Sequence, residues 1–281
     1  MLAIIGGTGI YDLPGMQIDE RLDEPTPFGA PSGAISRGRL HDVPVLFLAR
    51  HGHGHRHLPH EVNYRANVFA LKRAGATMLL SFSAVGSLAE HIAPGDLALP
   101  HQYFDWTRGT RAKSFFGDGV VAHVSTAEPV SRALTDALAA TAQARGLRVH
   151  RDVTYACVEG PRFGTRAESF FLRQVGCHLV GMTNVPEAFL AREAQLAYAT
   201  VAIVTDYDCW MDDPSQHAAM DTILARYRQS VGQARELLEG LLSGPLPQPE
   251  PSIRQALAGA VMSDAAQLPP EQAAWLEVLR R

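Results

Sequence analysis

Cysteine is scarce and scattered. Cys157, Cys177 and Cys209 make an odd number, lie far apart and form no C-x-x-C pair, which argues against a disulfide framework and fits a reducing compartment. Charge of one sign is missing too. With 25 basic and 29 acidic residues the formal net charge is −4, so no broad basic field points to nucleic acid or an anionic membrane. Any positive charge that holds an anion has to be local. No apolar run is long enough to span a bilayer. The opening Met1-Leu2-Ala3-Ile4-Ile5-Gly6-Gly7 lacks the basic region and long apolar stretch of a secretory signal. The body contains no internal repeat and no low-complexity tract. Together these absences predict a cytoplasmic globular protein.

What is present is an ordinary globular balance, 46% hydrophobic and 19% charged over 281 residues, long enough to bury a large core without disulfides or metals. Short apolar runs alternate with helical patterns, which predicts an α/β fold with a sheet flanked by helices. Strands are expected at 2–5, 43–49, 77–82, 96–99, 149–157, 178–182 and 198–204. Helices are expected at 61–74, 129–145, 165–175, 186–194 and 218–242, with Gly75 and Gly146 closing the first two. The proline-rich stretch 244–251 reads as a stiff connector, followed by a short helix at 253–262. The organisation expected is a domain over 1–243 and a C-terminal arm over 244–281 belonging to the same domain.

Several motifs follow strands, where α/β folds place their ligands. Gly6-Gly7-Thr8-Gly9 lets backbone N–H groups converge on an anion, with Thr8 adding a hydroxyl; it reads equally as a tight turn. The dinucleotide pattern fails because Asp12 stands where its third glycine belongs, and no Gly-Lys-Ser/Thr completes a Walker loop. In Arg50-His51-Gly52-His53-Gly54-His55-Arg56-His57, Arg50 can grip a phosphate with two parallel N–H bonds and His51 can add a donor. The histidine density raises a metal reading, but no Asp, Glu or Cys accompanies the run; a solvated loop is the plain alternative. Ser83-Ala84-Val85-Gly86-Ser87 offers further donors. Glu159-Gly160-Pro161-Arg162-Phe163 is a turn presenting a ring that suits a base, unless Phe163 plugs the core, and Glu159 with Arg162 reads as an ion pair. Met182-Thr183-Asn184 supplies a thioether and a hydroxyl. In Thr205-Asp206-Tyr207-Asp208, two carboxylates separated by one residue point the same way if extended, able to hold adjacent edge atoms of one heterocycle; solvated loop acids are the alternative.

The stretches GGTGIYDLPG, TPFGAPSG, ARHGHGHRHLPHEVNYRAN, SAVGSLAEHIAPGD, STAEP, EGPRFGTRAES, GMTNVPEAFLAREA and TDYDCW stand in this order and carry a resemblance that runs from the N-terminus to about Leu242. As an ordered set they resemble the trimeric purine nucleoside phosphorylase superfamily, in its branch acting on 5'-methylthio-nucleosides. The resemblance implies a single domain whose mixed sheet partly curls into a barrel, and a homotrimer with active sites at subunit interfaces. It implies phosphorolysis of S-methyl-5'-thioadenosine to adenine and 5-methylthioribose 1-phosphate, with inorganic phosphate as co-substrate and no metal or organic cofactor. By position, Thr8, Arg50, His51, Ser83, Ala84 and Thr183 would bind phosphate, Met182 would pack on the ribose and Phe163 would stack on the base. Asp206 would face purine N7 and Asp208 the 6-amino group, as the catalytic pair. His55 and His123 would come from the adjacent subunit to border the 5' pocket, lined by Met220, Ile223 and Leu224.

An aspartate at 206, where 6-oxopurine enzymes of this type resemble Thr-Asn, favours a 6-aminopurine. Met220 replaces a histidine that meets the sugar 5'-hydroxyl, and a methionine packs well against a thioether. Ser-Ala-Val-Gly at 83–86 departs from the animal pattern toward bacterial relatives, some of which prefer methylthioinosine. A methylthioinosine or 6-oxopurine nucleoside phosphorylase, a nucleoside hydrolase and a non-catalytic His-loop metal-binding protein therefore stay open.

Overall fold

The computed structural model describes residues 1–109, 111–211 and 220–281, and of residues 220–229 and 265 the backbone alone. Its first strand sets the layout. β1 (Leu2–Gly6) is buried along its whole length, because it runs parallel between β4 (Val43–Ala49) and β5 (Met78–Ser87) with both faces covered. Leu2 and Ile4 join one core with Val45, Leu80 and, from the helices α2 (Arg132–Ala144) and α5 (Met220–Leu242), Leu134 and Leu238. Ala3 and Ile5 join the other with Leu46, Val68 of α1 (Tyr64–Arg73) and Ala191 of α4 (Asn184–Glu193). Strand alternation thus distributes one apolar run between two helical layers.

Among the described residues nine strands form one mixed sheet in the order β2-β3-β4-β1-β5-β8-β7-β6-β9. The remaining strands are β2 (Gln17–Leu22), β3 (Ile35–Leu40), β6 (Leu97–Trp106), β7 (Val149–Val158), β8 (Leu179–Gly181) and β9 (Ala197–Tyr207). β9 also pairs in parallel with β5 over its whole length, so β5, β8, β7, β6 and β9 close into a ring while β2, β3, β4 and β1 remain an open wing. This is the partly curled α/β sheet expected.

The expected strands all form, and three run further. β5 continues through Ser87, β6 through Trp106 and β9 through Tyr207, because the ends of β5 and β9 pair with each other and the end of β6 pairs with β7. β2 and β3 were not anticipated: QIDERL is almost wholly exposed and has no apolar alternation to announce it. The helix expected at 253–262 is only one turn, α6 (Pro251–Arg254). A further helix, α7 (Pro270–Arg280), docks Trp275 on Phe28, ring centroids 5.5 Å apart. Between them the arm runs beside another loop of its own chain, with Val261 bridged to Ala122 and the His123 amide donating to the Ala260 carbonyl at 3.0 Å.

Candidate active site

A cavity of about 470 Å³ opens where the ends of β1, β4, β5, β8 and β9 meet, the usual position for a ligand in a sheet of this kind. It collects Thr8, Arg50, His51, Ser83, Ala84 and Thr183 with Phe163, Met182, Asp206 and Asp208. His55 lies in the same cavity, its ring stacked on that of His51 at 4.4 Å. It therefore belongs to its own chain's cavity, contrary to the expectation that a neighbour supplies it: the turn at 51–55, with Gly52 and Gly54 at positive φ, folds the histidine run back over itself. His123 is exposed and does not border the cavity. Met220, Ile223 and Leu224 stand at the start of α5, with side chains outside the described residues.

The Arg50 side chain is 1% exposed. Its fork does not face the cavity with two parallel bonds. Nε and Nη2 donate to the two carboxylate oxygens of Glu187 at 2.7 and 3.0 Å. Nη2 also donates to Ser81 Oγ at 2.6 Å and Nη1 to the Phe82 carbonyl at 2.9 Å. Of the five guanidinium hydrogens, four are thereby engaged and one, on Nη1, is left. Burial alone would lower the Arg50 pKa, but the Glu187 carboxylate reverses this and the net shift is upward. The charge is permanent and held at one point behind the Gly7-Thr8 turn.

His51 differs from the expected donor. Its Nδ1 lies 2.8 Å from the His57 carbonyl, which can only accept, so Nδ1 carries the hydrogen. Burial, then the neighbouring Arg50 charge, pushes its pKa down to about 3. The neutral ring presents Nε2 as an acceptor, suited to a hydroxyl of phosphate or sugar.

On the opposite wall, β9 reaches the cavity through a register shift against β5, where Val85 pairs with Val204 but Gly86 with Asp206. Asp206 and Asp208 fall on one side as the two-residue spacing predicts, and Tyr207 turns away to donate to the Glu90 carbonyl at 3.0 Å. Both acids are buried. Gly86 lies beside them: a Cβ there would press on Val180 Cγ1 at 3.2 Å and would be in ordinary contact with Asp206 Oδ2 at 3.4 Å and Asp208 Cβ at 3.5 Å. Thr205 Oγ1 donates to Asp206 Oδ1 at 2.6 Å, fixing the carboxylate plane.

Phe163 borders the cavity with 44% of its surface exposed, so it does not plug the core. Glu159 and Arg162 do not pair with each other. Arg162 is bidentate to Glu168 at 2.7 and 2.8 Å, in the capping box of α3 (Arg166–Gln174). Glu159 takes Arg111 Nε at 2.7 Å.

Arg111, Glu187 and Tyr11 escaped the sequence reading. Arg111 also donates to the carbonyls of Met182, Val185 and Glu159 at 2.7, 2.9 and 2.7 Å, clamping the Met182 wall to the Phe163 turn. Tyr11 borders the cavity and shares a 3.0 Å hydrogen bond with His55 Nδ1. Glu187 has one faint signal, an acid inside an otherwise apolar helix; Arg111 has none.

No group of three or more His, Cys, Asp or Glu able to hold a metal occurs among the described residues. No helix of the described residues is long and apolar enough to cross a membrane.

A partly closed mixed sheet with hydroxyls, a buried arginine and an acidic pair around one cavity defines an α/β enzyme of the nucleoside phosphorylase type. The chain belongs to the phosphorylase superfamily, whose description matches residues 1–243. It is 44% identical over 279 residues to the S-methyl-5'-thioadenosine phosphorylase of Geobacter sulfurreducens, covering 99% of this chain and 97% of that one. A methylthioadenosine phosphorylase sourced from an antarctic soil metagenomic library superposes with a TM-score of 0.91 at 40% identity, over 99% of this chain and 98% of its own. A variant of the adenosine/methylthioadenosine phosphorylase of Schistosoma mansoni, solved in complex with methylthioadenosine, gives 0.81 at 39% identity over 86% and 90%.

Proposed function

We propose that this protein cleaves S-methyl-5'-thioadenosine with inorganic phosphate, releasing adenine and 5-methylthioribose 1-phosphate. The observation that carries the reading is one cavity holding a hydroxyl-and-arginine cradle together with two buried carboxylates. Phosphate is held by Thr8, the remaining Arg50 Nη1 hydrogen, His51, Ser83, the Ala84 backbone and Thr183. The base lies against Phe163, with Met182 under the ribose. Asp206, or a water it orients, passes a proton to N7 as the C1'–N9 bond breaks and its electron pair returns to the base. Asp208 accepts from the 6-amino group. Phosphate oxygen closes on C1' with inversion, its negative charge stabilising the cationic sugar. General acid help of this kind is worth ~10²–10⁴ in rate. This chemistry calls for no metal or organic cofactor.

The same reading makes the enzyme a cytoplasmic homotrimer. His123 supports it by facing outward on a loop held by the C-terminal arm, available to a neighbour's 5' pocket. Phe170, Phe171 and Val175 support it as exposed apolar residues on and beside α3.

The test is release of free base from methylthioadenosine with and without phosphate, beside methylthioinosine and inosine. Phosphate-dependent adenine release is expected. Release without phosphate would make the protein a hydrolase, and preference for the 6-oxo substrates would reassign the acidic pair.

A further inference from the structure

Behind the hydroxyls of the cradle stands a phenol that does not border the cavity. Tyr155, on β7, is fully buried, with its oxygen 3.2 Å from Ser83 Oγ and 3.5 Å from the Thr183 amide nitrogen. It reaches them over Gly181, where a Cβ would lie 2.0 Å from the phenolic oxygen. Any side chain at 181 would therefore displace the hydroxyl. The three residues come from three adjacent strands of the ring or their ends, β5, β7 and β8.

The direction of the hydrogen bonds follows from the chemistry of the groups. The Thr183 N–H can only donate, so that long 3.5 Å contact offers the phenolic hydrogen no acceptor. Burial raises the Tyr155 pKa, so the phenol keeps its hydrogen at any working pH. The acceptor within reach is Ser83 Oγ, and a buried hydroxyl left without an acceptor is costly. Ser83 Oγ is then occupied as an acceptor and its own hydrogen must go elsewhere. Its alternatives within the protein are long, 3.4 Å to Thr183 Oγ1 and 3.5 Å to the Ala84 carbonyl, and such contacts are weak. An anion in the cavity is a better acceptor than either.

We infer that Tyr155 is a positioning residue of the anion cradle: by donating to Ser83 Oγ it turns the Ser83 hydrogen toward the cavity and makes Ser83 an obligate donor to phosphate. The chain Tyr155 O–H to Ser83 O–H ends on the anion. The inference rests on the phosphate reading above and assigns a role to a residue that touches neither substrate.

The experiment is steady-state kinetics of Tyr155→Phe, Ser83→Ala and the double variant, varying phosphate and methylthioadenosine separately, with thermal melting of each. Tyr155→Phe removes one oxygen and keeps the ring. Its KM for phosphate should rise roughly three- to tenfold, with the KM for methylthioadenosine unchanged and the fold intact. Ser83→Ala should raise the phosphate KM too, and in the double variant the two effects should fall short of their product, since both act through one hydrogen bond. An unaltered phosphate KM in Tyr155→Phe, an equal rise for both substrates, or fully multiplicative effects would each overturn the inference. If Tyr155→Phe does not fold, Ser83→Ala decides alone: a rise in the phosphate KM only supports the relay, and no change removes its end point. A wild type that releases base without phosphate sinks the proposed function itself, whereas a phosphate-dependent wild type with an indifferent Tyr155→Phe sinks the relay only.

Discussion

Glu187 meets Arg50 with both carboxylate oxygens, and each side chain keeps 1% of its surface exposed. The pair ties α4 to the end of β4 across 137 residues of sequence. It explains how a cradle for an anion can hold a buried guanidinium when no anion neutralises it. Removing the carboxylate leaves that charge alone in the core. Glu187→Ala should lose ~3–5 kcal/mol of stability, measured by urea unfolding. Phosphate should recover more of the melting temperature in the variant than in the wild type, because a bound anion takes over the missing charge.

The acid role of Asp206 makes the second prediction. Asp206→Asn should reduce kcat on methylthioadenosine by ~10²–10⁴ and harm a 6-oxo analogue less. Thr205→Val, which removes the 2.6 Å donor to Oδ1, should lower kcat less and displace the pH profile. Unchanged adenine release in Asp206→Asn would assign the proton to another group.

Lys72 is 4% exposed, and its Nζ finds no hydrogen-bond partner among the described residues. Burial, and then the charge of Arg254, lowers its pKa from 10.5 to about 7. The folded state therefore favours the neutral amine, and the cost of burying the ammonium is full below pH 7. As pH rises from about 7 to 10.5 the unfolded chain holds the proton that the folded chain has lost, and stability increases. Lys72→Met should be more stable than the wild type at or below pH 7 by ~1–3 kcal/mol, and the advantage should fade by pH 10.5. Melting curves across that range check it.

His51 works in the opposite part of the pH scale. Its pKa falls from 6.5 to about 3 on folding, so the unfolded chain takes up a proton that the folded chain refuses. Stability from this group is whole above pH 6.5 and is lost as pH falls toward 3. His51→Asn, which can still donate to the His57 carbonyl, should flatten the acid side of a plot of melting temperature against pH. An identical slope in the variant would mean that another group sets it.

Much was readable along the chain because its cause is local. Leu2-Ala3-Ile4-Ile5 is a continuous apolar run, and only a strand covered on both faces can bury all of it. Asp206 and Asp208 share a side because any extended backbone alternates. Eleven of the fifteen positions proposed for the site meet in one cavity, since each lies at or just past the end of a strand, where the wing strands β1 and β4 meet the ring strands β5, β7, β8 and β9. What the chain could not show was the choice of partner. Arg50 has the same fork whether it faces an anion or a carboxylate, and the fold alone delivers Glu187 to it. Glu159 takes Arg111 rather than the nearer Arg162, because α3 claims Arg162 through Glu168. Hydrogen bonds between distant segments depend on which buried groups are left to satisfy one another after the apolar surfaces have packed, and that is decided only in three dimensions.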